Sequence, residues 1–182
     1  MAQTPNLYVY SSLIKVLGNA GQPDKALHYF AEIARRGLTP DIFCFSALIA
    51  ALGTAGRVDE AERHFAKMAQ LGLAPDLRCF TALTLALTKA GKLDSAQRVF
   101  DQVVQQGLEP SRVCFNVLIK GFADAGRADE AEHWFAKITT VGHLNPDLSN
   151  YNVLLKANEV AVRPERAVQL LQEMAHKVLV LT

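Results

Sequence analysis

Ten residues, PDIFCFSALI at Pro40 to Ile49, recur along the chain at fixed spacing, and that recurrence restricts the fold more than any other property of the sequence. The stretch returns as PDLRCFTALT (Pro75 to Thr84), PSRVCFNVLI (Pro110 to Ile119), PDLSNYNVLL (Pro146 to Leu155) and, first of all, PNLYVYSSLI (Pro5 to Ile14). The aromatics at its centre, Tyr10, Phe45, Phe80, Phe115 and Tyr151, stand 35, 35, 35 and 36 residues apart. A period of this length marks a stacked array, in which one small unit is copied because a single copy cannot bury its own apolar faces. The repeats run Leu7 to Asp41, Ile42 to Asp76, Leu77 to Ser111, Arg112 to Asp147 and Leu148 to Thr182, the fourth carrying an extra residue near His143. They are expected to form a single domain over residues 1–182.

Each repeat reads as helix, turn, helix. Tyr10, Leu13, Ile14, Leu17 and Ala20 fall on one helical face, as do Phe45, Leu48, Ile49, Leu52 and Ala55. Gly21, Gly56, Gly91 and Gly126 then end the first helix, in the left-handed conformation that glycine adopts cheaply. Pro23 and Pro164 suit the first turn of a second helix, and Asp24, Asp59, Asp94 and Asp129 suit its positive end. The buried side of that helix is carried by Ala26, Phe30 and Ile33 and their counterparts; alanines at 20, 55, 90, 125 and at 26, 61, 96, 131 are expected to let helices approach closely. Gly37, Gly72, Gly107 and Gly142 end it, and Pro40, Pro75, Pro110 and Pro146 prevent it from resuming. First helices should line one surface of the array and second helices the other.

Half of the 182 residues are hydrophobic, enough for a real core, and no run of about 18 apolar residues suggests a membrane span. The opening MAQTPNLYVY has the layout of neither a secretory signal nor a transit peptide. Cys44, Cys79 and Cys114 share one phase of the repeat, so stacking would hold them about 8 to 10 Å apart, beyond disulfide reach. They are expected to be reduced and buried, and no spacing fits a zinc site. Trp134 reads as packing, and His28, His64 and His133 as solvated or half-buried side chains. There is no nucleophile with its base, no phosphate loop and no deaminase signature, so neither catalysis nor a cofactor is expected. The last repeat is irregular. Val162 replaces the glycine, Asn158 replaces an apolar residue, and Val178, Leu179, Val180 and Leu181 form an apolar tail that should continue into, or dock on, protein.

The unit CFSALIAALGTAGRVDEAERHFAKMAQLGLAPD (Cys44 to Asp76) resembles the pentatricopeptide repeat, and the resemblance covers nearly all of residues 5 to 182. It implies an all-α fold, a right-handed α-solenoid of five helix-turn-helix repeats. It also implies binding of single-stranded RNA in a mitochondrion or chloroplast, one base per repeat, selected by the fifth residue of a repeat together with its last. Those pairs would be Ser11 with Asp41, Ser46 with Asp76, Thr81 with Ser111, Asn116 with Asp147, and Asn152 with Thr182.

A carboxylate only accepts hydrogen bonds, so Asp41, Asp76 and Asp147 should favour guanine or uracil, whose pairing edges carry an imino N–H. By resemblance to the family's code, repeats one and two would take G and repeat four U. The second residue of a repeat flanks the base in this family; Tyr8, Phe43 and Val113 are apolar wedges, and Arg78 would stack through its guanidinium. In the first helices Lys15, Arg78, Lys89, Arg112, Lys120 and Lys156 outnumber Asp124 and Glu159, a net +4, whereas the rest of the chain carries 13 basic and 16 acidic residues. The first-helix surface is therefore the one suited to phosphate, with Lys15, Lys89, Lys120 and Lys156 as the contacts. The competing expectation is a structural subunit that uses the solenoid to contact protein in a large organellar assembly.

Overall fold

The computed structural model describes the backbone of residues 6–180 and the side chains of residues 6–175. Among these residues the chain is helical, without strands: α1 (Leu7–Asn19), α2 (Pro23–Arg35), α3 (Ile42–Thr54), α4 (Val58–Gln70), α5 (Leu77–Lys89), α6 (Leu93–Gln105), α7 (Arg112–Asp124), α8 (Ala128–Thr140), α9 (Leu148–Val160) and α10 (Pro164–Val180). The described residues form two compact bodies, one ending at Val99 and the other starting at Phe100. In the first body α1 packs on α2 and α3, and α3 on α4 and α5; in the second α7 packs on α8 and α9, and α9 on α10. None of the helices is long and apolar enough to cross a membrane, among the described residues.

The odd-numbered helices begin where the sequence supplies a cap. Side-chain oxygens of Asn6, Asp41, Asp76 and Asp147 accept from the backbone N–H of Val9, Cys44, Cys79 and Asn150, at 3.1, 2.8, 3.0 and 3.0 Å. Each bond satisfies a donor that the first turn would otherwise leave open. Ser111 stands at the same place before α7 but makes no such bond.

The same helices end in a tight reversal, as at Gly56, where φ is 74°. There the Gly56 N–H donates to the Gly53 carbonyl and the Arg57 N–H to the Leu52 carbonyl, at 3.2 and 2.9 Å. Val162 makes the same two bonds for α9 at φ 54°, a left-handed conformation that costs a β-branched residue about 1–2 kcal/mol. One expected terminator moves. Gly142 is not left-handed; the extra residue of repeat four shifts that role to His143, at φ 49°. Gly142 matters for space instead, since a Cβ there would lie 2.6 Å from Phe115 Cε2 and 2.8 Å from the Ile138 carbonyl oxygen.

Repeats are joined by aromatic pairs, each linking a second helix to the first helix that follows. Phe30 meets Phe45 at 4.9 Å between ring centroids, Phe65 meets Phe80 at 5.2 Å, Phe100 meets Phe115 at 5.0 Å and Phe135 meets Tyr151 at 5.0 Å. Edge-to-face rings at this range add to the burial of the rings themselves. Ala26, Ala61, Ala96 and Ala131 are fully buried, as expected of a close contact. Ala20, Ala55, Ala90 and Ala125 are not: they are exposed residues at the helix ends. Close approach of first helices is achieved by Gly18 against Ala51 and Gly53 against Ala86, where an added Cβ would stand 2.5 and 2.6 Å from the alanine Cβ.

All three cysteines are buried and outside any disulfide, and burial chiefly pushes the Cys44 and Cys79 thiols up to about 12, which leaves those two unreactive. Trp134 is core, with its ring 4.8 Å from that of Phe100. His28 and His133 are exposed, whereas His64 is half-buried against Phe30, with no partner for Nδ1. Asn158 is fully buried; its Nδ2 donates to the Leu154 carbonyl at 3.0 Å and its Oδ1 finds no partner.

Salt bridges step from repeat to repeat at the turns. Arg57 pairs with Asp24, Lys92 with Asp59 and Arg163 with Asp129, so these aspartates hold the next repeat as well as their own helix N-termini.

Candidate nucleic-acid interface

Because first helices pack side by side, the last residue of one repeat, which caps a first helix, comes beside the first helix that holds its proposed partner. Ser11 lies on α1 and Asp41 at the start of α3; Ser46 lies on α3 and Asp76 at the start of α5; Asn116 lies on α7 and Asp147 at the start of α9. In all three aspartates Oδ1 is spent on the cap. The second carboxylate oxygen is what remains to read a base.

The hydroxyls turn inward. Ser11 Oγ donates to the Tyr8 carbonyl at 3.0 Å, and Thr81 Oγ1 to the Leu77 carbonyl at 2.6 Å. With the proton so placed, the Ser11 hydroxyl keeps its lone pairs for accepting. Ser111 Oγ stands 3.5 Å from Cys114 Sγ. Tyr8, Phe43 and Val113 are exposed at 78%, 55% and 59%, as wedges must be.

Arg78 is placed differently from the expectation. Its guanidinium carbon lies 4.4 Å from the centroid of the Phe43 ring, and Nε and Nη2 donate to Asp76 Oδ2 at 3.0 and 2.8 Å. A base sandwiched between two groups needs them about 7 Å apart, two van der Waals thicknesses. Arg78 therefore fills the slot beside Phe43 and occupies the very oxygen that Asp76 has left. Partial burial opposes ionisation of Asp76, but the Cys79 N–H and the Arg78 guanidinium outweigh it and hold the carboxyl below its ordinary value.

Repeat four holds its pair tightly. Asn150, fully buried, donates from Nδ2 to Asn116 Oδ1 at 2.6 Å and accepts at Oδ1 from the Asp147 backbone N–H at 2.7 Å. Asn116 Nδ2 in turn lies 3.3 Å from Ser149 Oγ. The extra residue of repeat four does not displace Asp147, which caps α9 just as its counterparts cap α3 and α5. Asn150 was not singled out in the sequence; the signal lay in its register, which carries cysteine in repeats two to four.

Beyond it, Lys120, Asp124, Ser149, Asn152 and Lys156 line an open cleft of about 540 Å³ between α7 and α9. This is the size of a small-molecule site. It brings together three residues expected from the sequence, Lys120, Asn152 and Lys156, and adds one that opposes them, the carboxylate of Asp124. Lys15 and Lys89 are exposed on α1 and α5. The side chains of Val178, Leu179 and Val180, and the whole of Leu181 and Thr182, lie outside the described residues, and with them the expected docking tail and half of the fifth pair.

Comparison with known proteins defines first the class and then the family. The crystal structure of the pentatricopeptide repeat protein PPR10 in complex with an 18-nt psaJ RNA element matches with a TM-score of 0.80 and 25% identity, over 92% of this chain and 24% of that one. PPR10 from maize matches with a TM-score of 0.79 and 25% identity, over 95% and 25% of the two chains. The PPR domain of Arabidopsis thaliana protein-only RNase P 1, in complex with tRNA, has a TM-score of 0.77 over 92% of this chain and 88% of its own, but at 18% identity it speaks for the fold alone. The protein is thus an all-α helical-repeat solenoid. It spans about a quarter of the PPR10 structures it matches. The PPR repeat family matches residues 5–54, the PPR repeat residues 43–73 and 113–143, and the pentatricopeptide repeat domain residues 63–125. The chain belongs to the pentatricopeptide repeat family. No curated protein sequence matches it.

Proposed function

We propose that the chain is a non-catalytic, single-stranded RNA-binding solenoid that takes about one base per repeat and acts on organellar RNA in its stabilisation, processing or translation. The observation that carries this reading is the placement of Asp41, Asp76 and Asp147. Each is fixed by its cap at a junction of first helices, where its helix packs on the one that carries Ser11, Ser46 or Asn116, with a second oxygen directed to no cap. Acceptors fixed in place by backbone caps are what reading an imino N–H requires. Stacking on Tyr8, and on Phe43 once Arg78 is displaced, adds roughly 1–3 kcal/mol per base, and exposed Lys15, Lys89, Lys120 and Lys156 supply phosphate contacts. Set against the cost of association, the sum corresponds to binding at about 1 μM.

The test is fluorescence anisotropy with short strands of the form 5′-GGNU-3′ at several salt concentrations. Binding should weaken with salt and should drop about tenfold in the double variant Asp41→Asn with Asp76→Asn, which keeps both caps and loses the acceptor-only edge. Absence of salt-sensitive binding, or equal binding by the double variant, overturns the reading.

A further inference from the structure

The amide orientations in repeat four follow from one unambiguous donor. The backbone N–H of Asp147 can only donate, so the end of the Asn150 amide that faces it at 2.7 Å is the oxygen. The other end is then the NH2 group, which donates at 2.6 Å, so the Asn116 atom that receives it is also oxygen. Asn116 must therefore turn its own nitrogen towards Ser149 and the surface. Asn150 achieves this from full burial, and its backbone N–H meanwhile takes Asp147 Oδ1 at 3.0 Å. One buried side chain thus holds both proposed reading residues of repeat four.

We propose that Asn150 is the positioning residue that sets base preference at repeat four, by locking Asn116 with its N–H2 donor outward beside the acceptor Asp147. The inference rests on the RNA-reading function proposed above. A donor beside a carboxylate matches uracil, whose N3–H can meet Asp147 while either flanking carbonyl accepts from Asn116. Cytosine fits poorly: its N3 carries no hydrogen for the carboxylate, and its amino group meets a second donor. An Asn116 free to flip would present Oδ1 to that amino group and relieve one of the two mismatches with cytosine. Repeats two to four carry Cys44, Cys79 and Cys114 at this register, and the Sγ atoms of Cys44 and Cys79 approach the Leu7 and Ile42 carbonyls at 3.7 and 3.9 Å. The Cys79 thiol also touches Asp76 and Ser46, but a lone Sγ has no second polar atom with which to fix the orientation of a reading amide as Asn150 does.

The experiment compares 5′-GGNU-3′ with 5′-GGNC-3′ for the unmodified chain, for Asn150→Cys and for Asn150→Ser, whose hydroxyl can still serve the cap but is too short for Asn116. The unmodified chain should prefer U, and both variants should lose about fivefold of that preference, the worth of one hydrogen bond, mainly by gaining affinity for C. Discrimination of G from A at the first base should stay unchanged, and the gain of affinity for C is a readout that loosening of the C-terminal body would not produce. Asn116→Asp keeps the acceptor for Asn150 and replaces the outward donor, so it too should lose the preference for U. A U-to-C ratio that is unchanged in Asn150→Ser, or absent in the unmodified chain, overturns the proposal while leaving RNA binding standing. Failure of the unmodified chain to bind either strand removes both.

Discussion

The second and fourth repeats carry the same kind of reading pair and hold it in opposite ways. At repeat two the last residue, Asp76, is covered from outside by Arg78, an exposed side chain that rests on Phe43. At repeat four Asp147 and Asn116 are tied from beneath by Asn150, a side chain with no exposure at all. Exposed ion pairs are weak and exchange readily, so Arg78 is a latch that an arriving base must displace. A buried amide with its hydrogen bonds satisfied is costly to disturb, so Asn150 is a fixed support. Two stations with similar letters in the code thus differ in preorganisation because of residues that the code does not name.

The largest effect should come from breaking the fourth station at its base. Gly142→Ala puts a methyl group 2.6 Å from Phe115, next in sequence to Asn116, and should lower the stability of the C-terminal body by about 1–3 kcal/mol in denaturant unfolding. Base preference at repeat four should fall with it, while that at repeat two holds. In the opposite direction, Asn158→Leu removes a buried oxygen that has no partner and should raise the stability of the same body by about 1–2 kcal/mol, read as a higher midpoint at unchanged slope.

Opening the latch at the second station should have a smaller effect. Arg78→Ala frees Asp76 Oδ2 and should sharpen the preference for G over A at that base by about fivefold, the most that an exposed pair is worth. The smallest effect is one of pH and is confined to the N-terminal body. Burial holds His64 below its ordinary value of 6.5, so the unfolded chain binds the proton more readily than the folded one. Stability should therefore be intact above pH 6.5 and decline as the pH falls below it towards the depressed folded value. Thermal melts of His64→Gln should lack that slope.

Much of the fold was legible because the determinants are local and repeated. Asp41 and Asp76 cap α3 and α5 through bonds that span three residues, and Gly56 ends α3 through bonds that span five or fewer, so residue type and order suffice. Ala55 shows where pattern reading fails. It continues the apolar face on paper, yet it is the residue at which the helix stops, and the close contact is made instead by Gly53 and Ala86, 33 residues apart. The site was legible to the same extent. Positions of Ser11, Asp41, Ser46, Asp76, Asn116 and Asp147 follow from the period, but the contacts of Asn150 and the reach of Arg78 involve neighbours in the preceding repeat.

The sequence alone determined the period, most of the helix limits and the membership of the pentatricopeptide repeat family, since each depends on residues within a few positions of one another or on their copying. Only the tertiary structure decided how each reading residue is held. A side chain that spans two repeats meets its partner 33 or 34 residues away, as Arg57 meets Asp24 and Asn150 meets Asn116, and whether it lies buried or exposed there is set by packing that no single repeat contains.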